Sequence, residues 1–293
     1  MTEAPESVLA EIDYVAPDSR VNRRFVAPGA EFNTGRFETH RVPIRNGRSA
    51  RAQLTPDAVG FTLTDHKSAV RDFLDKDEVD RLYAAEVVEA VKAITGADKV
   101  LAGGWVMRTS GDKDLLATSI GYKHGGGGIQ PPAADAHVDM HWETALERAR
   151  QTYRSHWPHG PGFSRFISSS FWRAFSEPPQ DWPLALCDGS SLEPDEGVPN
   201  TMVIVDALPE REAMYGPLEG ERAMMAASIF AHRPQHRWWY FPDMTRDEAV
   251  FLKFHDSDHS VAWRAPHTAF RDPSRPGAKI RRSIEFRTVA FFE

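Results

Sequence analysis

Apolar side chains recur at three- and four-residue spacing from Arg71 to Gly96, where Val79, Leu82, Tyr83, Val87, Val91 and Ile94 predict the longest helix. Asp75 or Asp77 suits its start and Gly96 its stop. A second helix is expected over Glu143–Ser155, with Trp142, Leu146, Ala149 and Tyr153 on one face and Thr144 with Glu147 as a capping box. Between them, Lys99–Arg108 (KVLAGGWVMR) has the composition of a strand.

Beyond residue 160 the pattern shortens into strands parted by proline turns. Phe163–Phe175, Thr201–Asp206, Met224–Ala231, Trp238–Phe241, Val261–Ala265 and Ser283–Phe292 are the expected ones. The last alternates most clearly, with Ser283, Glu285 and Arg287 against Ile284 and Phe286. Residues 1–40 carry few apolar clusters and are expected as an extended N-terminal arm; residues 41–293 then form a single domain. Helices early and strands late point to an α+β fold on a β-sandwich or barrel.

Composition narrows the function. The 293 residues carry 35 Lys and Arg against 42 Asp and Glu, a net charge of −7. That balance excludes nucleic acid and anionic membrane as main partners, which need a dense basic face, but not a small anion in a pocket with one arginine. Cys187 is the only cysteine, so no disulfide within the chain and no multi-cysteine metal site can form. The acidic start lacks a signal-peptide pattern, and the longest apolar-looking run, Ala223–Ala231, falls far short of the ~20 residues that cross a bilayer. A cytoplasmic protein acting on a small molecule is expected, with a homodimer left open.

Among twelve histidines, His137-Val138-Asp139 stands out. On an extended chain its two polar side chains point to one face and offer an imidazole and a carboxylate to one metal. A third ligand would complete a two-histidine, one-carboxylate triad with open positions for a co-substrate and dioxygen. Alone, such a pair is commonly structural. His267 supplies a distal histidine, followed fourteen residues later by Arg281, which opens the last strand together with Ser283. A guanidinium there can grip a distant carboxylate through two hydrogen bonds, and the serine hydroxyl can add a third. Arg281, Ser283, Glu285 and Arg287 share a strand face, so Glu285 is placed to orient an arginine; an ion-pair ladder on a surface strand is the plainer alternative.

Six ordered segments carry a resemblance: Thr39–Ile44, His137–Asp139, Phe171–Arg173, Pro183–Asp188, His236–Pro242 with Phe254–Ser257, and Pro266–Phe270 with Arg281–Arg287. With them the chain resembles the CmcJ/NvfI-type, cephem methoxylase-like family of Fe(II)/2-oxoglutarate-dependent oxygenases over most of its length. The resemblance implies a double-stranded β-helix (jelly-roll, cupin-like) core with flanking helices. It implies His137, Asp139 and His267 as iron ligands, and Arg281 and Ser283, with Arg287, as the co-substrate clamp. It also implies Fe(II), 2-oxoglutarate and dioxygen as requirements, and hydroxylation, desaturation or oxidative cyclisation of a natural-product-like small molecule. Ser170 before Phe171 and Met140-His141 after the HxD depart from the family pattern near the expected pocket.

The remaining candidates are weaker. Trp172, Arg173, Trp238 and Tyr240 are taken as pocket residues and His141 as a pocket residue or a helix-start histidine, with Lys123 a further cation and Gly125–Gly128 a loop near the entrance. Asp256, Asp258 and His259 suggest a solvated turn, and Cys187 a buried small hydrophobe. Two rival functions remain. A zinc-type hydrolase would use His137, Asp139 and His141 and tolerate loss of His267; a non-catalytic β-barrel binding protein would hold no stoichiometric metal.

Overall fold

The computed structural model describes residues 4–27, 30–111, 129–219 and 221–293. Lys123 and Gly125–Gly128 lie outside the described residues. Two sheets face one another. The larger runs in the order β1 (Ser7–Val15), β4 (Phe37–Asn46), β13 (Trp238–Tyr240), β10 (Leu184–Cys187), β15 (His267–Ala269), β8 (His137–Val138), β12 (Arg222–Ile229), β11 (Val198–Ile204), β2 (Arg23–Ala27), β3 (Ala30–Asn33). The smaller runs β5 (Phe61–Asp65), β14 (Glu248–Asp256), β9 (Arg165–Ala174), β16 (Arg282–Phe292), β6 (Lys99–Thr109), β7 (Ile129–Gln130). The architecture is therefore mostly β-sheet with few helices.

The core between the sheets is built by alternation. Val8, Ile12, Tyr14, Ile44, Trp238 and Tyr240 of the larger sheet meet Phe61, Trp172, Val250, Leu252 and Phe254 of the smaller. This revises the reading of residues 1–40 as an arm. Val8, Ala10, Ile12 and Tyr14 occupy alternate positions of β1 and are all buried, so the segment is a strand paired antiparallel with β4. Short side chains such as Ala10 carry this pattern, so it makes no apolar cluster along the chain.

The outer face of the smaller sheet is covered by a helical run over Lys76–Thr95 that contains a π-type turn at Val79–Tyr83 and continues as α1 (Ala84–Thr95). Val79, Tyr83, Val87 and Val91 pack on Trp105, Phe171, Phe251 and Phe286. The helix begins at Asp75 rather than Arg71. The Asp75 carboxylate caps the Asp77 and Glu78 amides, while Glu78 turns back to accept from the Arg71 and Asp72 amides.

Helix α2 (Trp142–His156) buries Ala145, Ala149 and Tyr153, a stripe at four-residue spacing, against Phe166 and Phe291. Trp142 and Leu146 stand exposed, against the expected face, because the helix turns its small residues to the sheet so that the backbones come close. The expected capping box is not made: His141 is the N-cap, without a side-chain capping bond, and Thr144 Oγ1 donates to the His141 carbonyl. Two strand expectations also change. Val261–Ala265 is irregular, whereas Glu248–Asp256, buried at every position, is the strand β14.

Candidate functional site

Strands β8 and β15 are short neighbours in the larger sheet, and their register sets His137 directly opposite His267. A separation of 130 residues in the chain thus becomes one cross-strand pair, with ring centroids 4.5 Å apart. Asp139 follows β8 by one residue, so its carboxylate returns to the face that His137 uses. Nitrogen and oxygen ligand atoms of His137, Asp139 and His267 lie within 4.8 Å of one another, the one such triad among the described residues.

The local bonding prepares these groups as ligands. His137 Nδ1 donates to the Asp135 carbonyl at 2.8 Å, and His267 Nδ1 to the Ala265 carbonyl at 3.2 Å. Each bond fixes the tautomer with the proton on Nδ1 and leaves the Nε2 lone pair for a metal. Phe254 stacks on the His267 ring at 5.7 Å and holds its plane. Burial, helped by neighbouring His137, pushes the His267 imidazole down to about 3, so it is neutral at pH 7. Burial alone would raise the Asp139 carboxyl, but the Arg287 guanidinium beside it holds it well below the usual carboxylate range.

Beside the triad a narrow cavity is lined by Arg108, His137, Trp172, His267, Arg281 and Glu285, among others. Arg281 is 1% exposed, with Nη1 donating to the Trp182 carbonyl at 2.8 Å and the guanidinium 5.8 Å from the Trp172 ring. Its Nε and Nη2 have no hydrogen-bond partner, and neither has the buried Ser283 hydroxyl. Burial, then Arg108, pushes the Arg281 guanidinium down to about 9, still cationic at pH 7. Buried polar hydrogens left unpaired cost on the order of 1–3 kcal/mol each, so this wall is built for an acceptor.

A family model described as an oxidoreductase/YMDC permease-like domain matches residues 12–291. The chain belongs to this family. The hydroxylase/desaturase CTB9 of Cercospora beticola is 31% identical over 265 residues, covering 88% of this chain and 78% of that protein. The alpha-ketoglutarate-dependent dioxygenase phiK of a fungal species is 28% identical and covers 99% and 98%. Among solved structures, the iron and alpha-ketoglutarate-dependent endoperoxidase NvfI shares the fold, with TM-score 0.77 at 24% identity over 98% of both chains.

The structure sorts the other candidates of this family member. Trp172 lines the cavity. His141 is buried but stands outside the triad, hydrogen-bonded with Ser228 Oγ at 2.9 Å, which disfavours the zinc arrangement. Arg173, the next residue of β9, faces the opposite side: its guanidinium bonds Tyr83 Oη at 2.8 Å, His66 and the Arg246 carbonyl, under the helical layer. Strand alternation makes Trp172 and Arg173 mutually exclusive as pocket residues. Trp238 packs against Tyr14 and Tyr240 against Phe270, both within the intersheet core rather than at the cavity. Arg287 lies on Asp139 instead of in the cavity lining.

Asp256 is fully buried, held by Lys253 at 2.7 Å and by Arg165, not part of a solvated turn. Arg108 was not expected. Its Nη2 stands 3.9 Å from Glu285 Oε1, and its place beside Arg281 comes from the antiparallel pairing of β6 with β16. The chain itself offers one hint, an arginine that follows the mostly apolar run Val100–Met107.

Proposed function

We propose that the protein is an Fe(II)- and 2-oxoglutarate-dependent oxygenase acting on a small molecule, built on a double-stranded β-helix core. The observation that carries this is one arrangement: two imidazoles with bare Nε2 atoms and one carboxylate converge beside a buried arginine with unpaired N–H groups. Two nitrogens and one oxygen on a single side suit iron and leave its other positions facing the cavity. The relatives named as 2-oxoglutarate dioxygenases support the same assignment.

In this reading His137, Asp139 and His267 hold the metal, and Arg281 with Ser283 receives the far carboxylate of 2-oxoglutarate. Bound iron, with 2-oxoglutarate and dioxygen, supplies the oxidising power that removes a substrate hydrogen while succinate and carbon dioxide are formed. The chain's own part is geometric and electrostatic. The carbonyls of Asp135 and Ala265 keep both rings in the ligating tautomer. Arg281 orients the dicarboxylate, and Trp172 and Leu252 give the cavity apolar walls.

Anaerobic titration with Fe(II) and then 2-oxoglutarate tests the proposal through the charge-transfer absorption band of the chelate. The band is expected in the wild-type protein and absent in folded His267→Ala. A folded wild-type protein without the band overturns it. Oxygen-independent hydrolysis that survives His267→Ala would instead identify the zinc-type hydrolase.

A further inference from the structure

Strand β16 delivers Arg287 to the carboxylate ligand. Its Nη2 donates to Asp139 Oδ2 at 3.1 Å, while Asp139 Oδ1 stands 3.7 Å from His137 Nε2. Glu285 Oε1 lies 3.8 Å from the same Nη2, within ion-pair range. Opposite Arg287 the pairing of β16 with β6 slips between Phe286 and Thr288, so Gly103 and Gly104 together face one residue. Such a bulge re-aims a side chain, and it recurs beside active sites. A Cβ on Gly103 would stand 3.3 Å from the Arg287 carbonyl oxygen, so glycine lets the two backbones approach here.

A carboxylate can bind a metal ion through one oxygen or two. When Oδ2 accepts from a guanidinium, that bond competes with its use as a second metal ligand, and Oδ1 is the favoured donor. We propose that Arg287 is a positioning residue that keeps Asp139 a one-oxygen ligand, and so reserves a metal position for co-substrate or dioxygen. The inference rests on the oxygenase reading, and it separates two arginines, Arg281 just before β16 and Arg287 within it. Arg281, in the cavity, binds the dicarboxylate; Arg287, on the carboxylate ligand, keeps the metal open to it. Partners of this kind orient metal ligands and are needed for full affinity or activity.

Manganese(II) provides a test without turnover. Electron paramagnetic resonance in oxygen-17 water counts the waters on the bound ion. Arg287→Met is expected to hold one water fewer than the wild-type protein, because Asp139 then closes on the ion with both oxygens. Arg281→Met is expected to keep the wild-type number, and Arg287→Lys to restore it. On the Fe(II)-loaded protein, 2-oxoglutarate should bind Arg287→Met roughly tenfold or more weakly, the low end of what losing such a partner costs. An unchanged water number in Arg287→Met overturns the inference, as does loss of manganese from both Arg287 variants, and in either case the wild-type chelate band leaves the oxygenase reading standing. Wild-type protein that takes up neither metal overturns that reading and the inference with it.

Discussion

Replacing Arg281 by methionine isolates the proposed co-substrate contact. The wild-type guanidinium is fully buried and keeps Nε and Nη2 without partners, so two N–H groups await a carboxylate. Hydrogen bonds to charged groups contribute about 1.5–3 kcal/mol each, so losing the pair costs on the order of 3 kcal/mol. At about 1.4 kcal/mol per factor of ten, 2-oxoglutarate should bind roughly a hundredfold more weakly. The folded protein loses little, because the hydrogen bond given up is to the Trp182 carbonyl and a desolvated cation is replaced by an uncharged, mostly apolar side chain. Ser283→Ala removes one neutral donor and should cost about 1 kcal/mol, under tenfold. The assay is anaerobic titration of the Fe(II)-loaded variants with 2-oxoglutarate at the chelate band, with thermal unfolding as the control. An Arg281→Met affinity within about threefold of wild type, well under 1 kcal/mol, would refute the clamp.

Two further predictions concern the frame around the site. Lys253 and Asp256 are both fully buried, 2.7 Å apart, with Asp57 and the Ala262 carbonyl also on the ammonium. Lys253→Met should destabilise the fold by about 3–5 kcal/mol, because Asp256 loses one of its two cations; a shift in melting temperature under ~2 °C would contradict this. Burial, then the neighbouring His259, pushes His255 down to about 4 from an ordinary value near 6.5. The unfolded chain therefore takes up a proton that the folded one refuses, and stability contributed by neutral His255 is present above about pH 6.5 and lost as pH falls toward 4. Urea unfolding between those values should show a shallower pH dependence in His255→Gln than in wild type, and parallel curves would reject the assignment.

The sequence made the donors legible more readily than their neighbours. His137 and Asp139 are two residues apart on an extended segment, so local geometry alone places them together. His267 could be joined to them only through the order of motifs, because its position opposite His137 depends on the pairing of β15 with β8. Period-two alternation correctly put Arg281, Ser283, Glu285 and Arg287 on one face of the last strand. It could not say that the first faces the cavity and the last faces Asp139, a distinction that rests on what packs above each. Arg108 shows the same limit, since its partner Glu285 is 177 residues away in the chain. Aromatic and charged residues misled where burial was complete. Trp238, Tyr240 and Arg173 look like pocket residues by type, yet each satisfies the core or the sheet–helix interface. The helix α2 shows the converse, because Ala145 and Ala149 bury a face that Trp142 and Leu146 seemed to claim.

In the proposed arrangement His137, Asp139 and His267 hold one iron ion and Arg281 holds the far end of 2-oxoglutarate. A crystal of the protein loaded anaerobically with both, with diffraction collected on either side of the iron absorption edge, tests it most directly. A single anomalous peak bonded to the Nε2 atoms of both histidines and to one Asp139 oxygen is expected, with a dicarboxylate running from it to Arg281 and Ser283. A peak elsewhere, or one that draws on His141 in place of His267, would contradict it.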